Sequence, residues 1–295
     1  MKKGIVYLKG GLGNQLFQLS FANYLSKNGF LIYLNTEKLI ENNNNTRREL
    51  IFPISNFNMK LQPSFDNIAF KIFHKFESSN IIRNSFMYRY FSEFKFTKEK
   101  DNIFDVNSKR FFFDGYWKNE EYIRFSKKFI EESISKDIQL EKAKKNKENK
   151  TMVHIRRKDF VVNNWDLKIS FYENAFKILN TKLGHFRYDI FTDDEDWVNE
   201  HELFSTAENI YIQRHGGYDD YLSRYKKDDK NETLETFEKM LSYQHYIVGN
   251  SSFSFWAAFL AEDTDSIVIV ADPWFREQYH PVLKLENWLT AENKY

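Results

Sequence analysis

The chain has 295 residues, with 43 Lys plus Arg against 42 Asp plus Glu for a formal net charge of +1, and no cysteine. That balance offers no whole-chain field to a nucleic acid or an anionic membrane, and the missing thiols exclude disulfides, thiolate metal sites and a cysteine nucleophile. Apolar residues at 42% and aromatics at 18% supply ample large side chains for buried cores, and the length suits about two domains.

The apolar run Ile5 to Leu8 reads as a first strand cut short by Lys9 rather than as a signal peptide. Leu16, Phe17, Phe21, Tyr24 and Leu25 recur at helical spacing, Asn28-Gly29 supplies a left-handed stop, and Phe30 to Leu34 reads as a second strand. Residues 41–110, with an Asn tract at 42–45, carry no legible pattern. Phe111-Phe112-Phe113 predicts a buried strand that closes on the turn Asp114-Gly115-Tyr116-Trp117. Glu141 to Lys150 has one Ala as its only apolar residue and reads as a solvated linker, which puts the domains at 1–145 and 146–295. Beyond it, strands at 152–155, 188–192, 210–212, 246–248 and 267–270 alternate with helices at 170–179, after 193, at 232–243 and at 253–261. Such alternation predicts an α/β fold with parallel sheets covered on both faces. The longest apolar run, Phe255 to Ala261, is too short to cross a bilayer, and cytoplasm is the expected compartment.

Three constellations sit where a strand ends and a helix or loop begins, the ligand-binding edge of an open parallel sheet. Gly10-Gly11-Leu12-Gly13-Asn14-Gln15 lets backbone approach a ligand and brings side-chain amides to a helix start; a tight turn with an Asn cap fits equally well. It lacks the third Gly of a dinucleotide fingerprint, because Leu16 stands there. In His154-Ile155-Arg156-Arg157-Lys158-Asp159, strand alternation puts His154 and Arg156 on one face to clamp a phosphate and pairs Arg157 with Asp159 on the other. A surface cluster with that ion pair competes with the clamp. Gly249-Asn250-Ser251-Ser252 leads from a strand into an apolar helix whose amino end either holds a phosphate or is simply capped. Asp194-Glu195-Asp196 matches a loose Asp-x-Asp metal pattern, yet three acids at a helix start more often partner its dipole, so no metal is expected. The lysines at 226, 227 and in the linker are matched by acids at 228, 229 and Glu148, so no stripe for nucleic acid emerges.

Taken in order, five stretches resemble the bacterial α-1,2-fucosyltransferases of glycosyltransferase family 11. They are Gly10 to Gln18, Gly115-Tyr116-Trp117, His154 to Phe160, Phe191-Thr192-Asp193-Asp194, and His245 to Ala258, within a span from near residue 4 to about Trp274. The resemblance implies a GT-B-like architecture, two Rossmann-like domains facing an interdomain cleft, with the acceptor side in 1–145 and the GDP-sugar donor in 146–295. It implies inverting transfer of L-fucose from GDP-fucose to the 2-hydroxyl of a galactoside in a bacterial surface glycan, built at the inner face of the membrane with peripheral contact allowed for. Arg156, the diphosphate contact, then forms the catalytic set with Asp159 and Asn14, and Asn14 reaches toward the sugar or acceptor. His154, Arg156, Asp193, Asp194, Asn250, Ser251, Ser252, Gly11 and Gly13 line the nucleotide-sugar site, with GDP-fucose as donor substrate and no metal or other cofactor. Lys158, Phe160, Lys118 and Phe255 depart from the Gly, Tyr, Gln and Trp usual in the family, which leaves another GDP-linked sugar open. Outside enzymes, the competing reading is a glycan or nucleotide-sugar binding protein without turnover.

Overall fold

A computed structural model of the chain describes residues 1–40, 48–62, 89–92, 110–213, 230–275 and 283–294; the Asn tract at 42–45 and the charged run at 226–229 lie outside the described residues. Contacts divide the chain into two compact units, one of Met1–Gly10, Asn14–Asn43 and Phe52–Lys136, the other of Gly11–Gly13, Asn44–Ile51 and Asp137–Tyr295.

In the first unit, β1 (Lys2–Tyr7), β2 (Phe30–Asn35), β3 (Lys60–Leu61), β4 (Arg89–Ser92) and β5 (Arg110–Asp114) pair in parallel in the order β3-β2-β1-β5-β4. Helix α1 (Leu12–Lys27) carries the chain from β1 to β2, and Gly29 at φ +90° ends it in the left-handed region. Helices α2 (Glu37–Ile40) and α3 (Glu120–Ile134) also belong to this unit. Leu16, Phe17, Phe21 and Leu25 of α1 are buried, and so are its polar Gln15, Gln18, Ser20 and Asn23. Buried polar groups need partners: Asn23 Nδ2 donates to Ser126 Oγ at 3.0 Å and Ser126 Oγ to the Ser20 carbonyl at 2.8 Å, docking α3 on α1.

In the second unit, β6 (Glu148–Ile155), β7 (Tyr188–Thr192), β8 (Ile210–Ile212), β9 (Tyr243–Gly249), β10 (Val268–Asp272) and β11 (Leu289–Glu292) are also parallel, in the order β11-β10-β9-β6-β7-β8. Helices α4 (Leu140–Lys145), α5 (Lys158–Val162), α6 (Ile169–Leu183), α7 (Glu195–Asn199), α8 (Lys230–Met240) and α9 (Ser252–Ala261) lie between strands or precede them. Val153, Ile155, Phe171, Tyr172, Leu179, Ile190, Ile247 and Ile269 meet in one core. The architecture is α/β with two parallel sheets, each unit Rossmann-like. Successive strands step from β6 toward β8 on one side and from β9 toward β11 on the other, so the order reverses between β6 and β9.

The reading of Glu141 to Lys150 as a solvated linker is corrected. Residues 140–145 form α4, the units part between Lys136 and Asp137, and 148–150 open β6. Lys150 is only 8% exposed and its Nζ lies 2.9 Å from Glu208, 3.0 Å from Glu148 and 3.4 Å from Asp189. Asp189 also accepts from Tyr243 Oη at 2.7 Å and Asn209 Nδ2 at 3.0 Å. The Glu208 carboxylate, aided by Glu148 and Asp189 against some desolvation, pushes the Lys150 ammonium above its ordinary pKa. A charged sequence is thus compatible with a strand entry when several carboxylates surround one cation. Lys150→Met leaves the buried Asp189 without its cation and lowers stability by about 3 kcal/mol in urea unfolding; an unchanged midpoint contradicts this role.

Candidate active site

Strand order reverses between the two central strands, and the carboxyl edge at such a reversal is where open parallel sheets bind their ligands. The His154–Asp159 segment leaves β6 there, and Gly249–Ser252 leaves β9, its parallel neighbour. The end of β6 meets the helix that follows β9: His154, 2% exposed, has Nδ1 2.8 Å from Ser254 Oγ in α9. Gly249, at φ +65°, turns β9 into α9; a Cβ there would lie 3.0 Å from Leu167 Cδ1 in a backbone conformation that disfavours side chains. Ser251 caps α9 by accepting from Phe253 N at 3.3 Å, and Ser252 is the first helical residue. Residues from Ser254 to Ala261 are buried, so the amino end of a buried helix, with its partial positive charge, opens at the ligand edge. Asn250 braces the turn instead of facing it: its Nδ2 donates to the Trp165 carbonyl at 2.7 Å and the Trp274 carbonyl at 3.1 Å, and its own carbonyl accepts from Trp274 Nε1 at 2.8 Å.

The charged residues pair differently from the alternation argument. Strand β6 ends at Ile155, so period-2 geometry does not extend to Arg157 and Asp159, and the expected Arg157–Asp159 pair is replaced. Arg156 takes Asp159: its Nε and Nη2 lie 2.9 and 2.8 Å from Oδ1, while Nη1 lies 3.1 Å from Asp193 Oδ2. Arg157 reaches Asp194 Oδ2 at 3.0 Å and Asp166 Oδ2 at 3.5 Å, with its guanidinium 4.3 Å from the Trp197 ring centre. Asp193, 3% exposed, also accepts the Arg157 N–H at 2.7 Å and so staples the turn after β6. Asp194 caps α7 through Trp197 N at 3.2 Å, which engages both of its oxygens.

The first sheet reverses between β1 and β5, where the Gly-rich loop and Gly115-Tyr116-Trp117 emerge. Gly10 sits at φ +77°. Gln15 Nε2 donates to the Gly10 carbonyl at 3.0 Å, while Gln18 accepts from Lys9 N at 3.0 Å and donates to the Gly115 carbonyl at 3.1 Å. Trp117 stacks on Phe21 at 4.2 Å. Asn14 is half-buried, and its Oδ1 is buried without a hydrogen-bond partner. Lys9 Nζ lies 2.8 Å from Asp114 Oδ1, and Lys38 Nζ pairs with Oδ2. Burial pushes the Asp114 carboxyl up, but the two ammonium groups outweigh it and bring the pKa down to about 2. Sequence reading missed this cluster because its members lie far apart in the chain. Gly11–Gly13 belong by their contacts to the second unit. A Cβ on Gly13 would fall 2.3 Å from the Ser252 carbonyl carbon and oxygen, so glycine is required by close backbone approach to the start of α9.

Residues 5–292 match the family model described as Glycosyl transferase family 11. The chain belongs to that family. It is 26% identical over 293 residues, 93% of each chain, to an alpha-1,2-colitosyltransferase from Escherichia coli. It is 24% identical to the O-antigen biosynthesis glycosyltransferase WbnK from Escherichia coli, with 96% of this chain and 98% of that one covered. Among solved structures, the fucosyltransferase NodZ from Bradyrhizobium aligns at TM-score 0.45 and 13% identity over 88% of this chain and 92% of its own. A FUT1 variant from Arabidopsis thaliana in complex with GDP aligns at TM-score 0.43 and 11% identity, covering 88% and 68%.

In this family 11 transferase, burial and then the Arg156 guanidinium lower the His154 pKa to about 4, against Asp193 and the Gln213 side chain, which favour the charged ring. His154 is therefore neutral in the fold. Its contribution to stability is fully present above the unfolded value near 6.5 and is lost as pH falls toward 4, about 3 kcal/mol across that window. Asp114, with a folded value of about 2, loses its contribution only below pH 4. Burial lowers His245 as well, so the informative comparison is between proteins. Between pH 6.5 and 4 the urea midpoint of the wild type falls more steeply than that of His154→Gln; equal slopes contradict a neutral buried His154.

Proposed function

We propose that this family 11 transferase moves L-fucose from GDP-fucose to the 2-hydroxyl of a galactoside in a bacterial surface glycan, with inversion and without a metal. The meeting of the His154–Asp159 and Gly249–Ser252 segments at the β6/β9 reversal carries the reading, joined by the 2.8 Å His154–Ser254 contact. A guanidinium and a helix amino end are the two protein groups best suited to a diphosphate. The names of the Escherichia coli relatives, an alpha-1,2-colitosyltransferase and an O-antigen glycosyltransferase, support the glycan class.

In this reading the diphosphate binds Arg156 and the N–H groups opening α9, beside Ser251 and Ser252. Asp193 holds the guanidinium in place, so the charge needs no rearrangement when it matters most. That moment comes as the anomeric carbon turns cation-like and the leaving diphosphate gathers its full charge. The acceptor oxygen bonds to the anomeric carbon as the bond to the diphosphate breaks, and GDP departs. The diphosphate competes with Asp159 for the Nε/Nη2 edge of Arg156, and the displaced Asp159 carboxylate takes the acceptor proton. Asn14 and the first unit serve the acceptor. We place the enzyme in the cytoplasm, at the inner membrane face; no helix among the described residues is long and apolar enough to cross a membrane.

A colitosyl donor is the second reading, favoured by the 26% identical relative. Mass spectrometry of products from a panel of GDP-sugars with mixed galactosides separates the two. A fucosylated galactoside, formed undiminished in strong chelator, is expected. A product from the colitosyl donor alone selects the second reading, and no transfer from any donor contradicts both. Arg156→Ala lowers kcat by about 100-fold or more with the fold retained; turnover like the wild type refutes the assignment.

A further inference from the structure

Beneath the ligand edge lies a hydroxyl that the reading above does not use. Ser254, in the first turn of α9, is 0% exposed. A serine hydroxyl carries one proton, and here Oγ donates to the Val248 carbonyl at 3.0 Å. Val248 is the extra residue of a bulge: β10 pairs Ile269 with Ile247 and Val270 with Gly249, passing over it, and a bulged residue falls out of the ladder. The Ser251 carbonyl is more distant from Oγ, at 3.4 Å, and already accepts from Phe255 N at 3.0 Å. With its proton directed to Val248, Ser254 offers only lone pairs to His154 Nδ1, 2.8 Å away.

We propose that Ser254 is a positioning residue that fixes His154 as the Nδ1–H tautomer and leaves Nε2 as a bare acceptor for an N–H or O–H group of the donor nucleoside. Nε2 is buried and makes no hydrogen bond of ordinary length; the Gln213 side chain, which also acts on the ring as a hydrogen-bonding group, is the one a ligand would displace. The groups facing the ring are Arg156, Asp193, Gln213, Ser254 and the Phe253 ring at 6.3 Å. Burial and Arg156 keep the ring uncharged, and a neutral acceptor cannot serve an ionised phosphate, which has no proton to give. His154 therefore reads the nucleoside while Arg156 and α9 take the diphosphate, two tasks that the sequence alone groups into one clamp. The inference rests on the GDP-sugar reading of this edge.

The tautomer is read directly from the ring 15N shifts of labelled protein at neutral pH, with the His154 signals identified by their loss in His154→Gln. Protonated Nδ1 and unprotonated Nε2 are expected; the reverse overturns the proposal whatever ligand binds. The role is read by calorimetric titration of GDP, inosine diphosphate, 2′-deoxy-GDP and inorganic pyrophosphate into wild type, Ser254→Ala and Ser254→Thr, with unfolding midpoints alongside. Ser254→Ala weakens GDP by about tenfold, the size of one hydrogen bond, and leaves pyrophosphate unchanged, while Ser254→Thr, which keeps the hydroxyl, restores GDP affinity. The analogue that loses affinity in the wild type but loses nothing further in Ser254→Ala identifies whether base amino or ribose hydroxyl is the donor. Unaltered GDP affinity in Ser254→Ala, or equal weakening of GDP and pyrophosphate, overturns the proposal. A wild type that binds no GDP refutes the donor reading instead, and the ring shifts still decide the tautomer.

Discussion

The parallel pairing of β6 against β9, with Met152 opposite Tyr246 and Val153 opposite Ile247, is the constraint on which the site depends. These strands are separated by two strands and several helices in sequence, yet only their adjacency brings a cationic turn and a helix amino end to one sheet edge. Connections from the two strands run to opposite sides, so no crossover blocks the crevice between them. Helix α9 can point its amino end there because its body is apolar and buried, which also makes its position hard to shift. The glycines follow from the same crowding. Gly249 turns left-handed where a Cβ would lie 3.0 Å from Leu167, and Gly13 allows backbone to press against Ser252.

Charge at this edge is a matter of direction more than of amount. Arg156, Arg157 and Lys168 are drawn against Asp159, Asp166, Asp193 and Asp194 through contacts of 2.8 to 3.5 Å. Lys158 adds its own charge at the start of α5, so the group is near balance and exerts little long-range pull. A diphosphate would be held by oriented N–H groups at close range, which suits a chain whose formal net charge is +1. Fixed dipoles and a braced guanidinium stabilise developing charge without reorganising during the reaction.

Much of the second unit was legible because its strands are short apolar runs bounded by polar turns: Tyr188–Thr192 and Ile210–Ile212 have the ends expected from sequence. Strand β11, Leu289–Glu292, escaped notice because its two apolar residues make no run. The linker reading failed at 148–150 because composition does not reveal that Glu148, Asp189 and Glu208 converge on Lys150. At the site, residue types were readable but their partners were not. Asp159 went to Arg156 instead of Arg157 because alternation was carried past the end of a strand. Asn250 and Gln18 belong to matching stretches, yet their hydrogen bonds brace the scaffold: one ties two tryptophan loops, the other joins Lys9 to Gly115.

The most direct test of the account is a crystal structure of the protein with GDP. The β-phosphate is expected within about 3.2 Å of an Arg156 guanidinium nitrogen and of a backbone N–H in the first turn of α9. GDP bound elsewhere, or held at this edge with Arg156 still closed on Asp159 and turned from the phosphates, would contradict it.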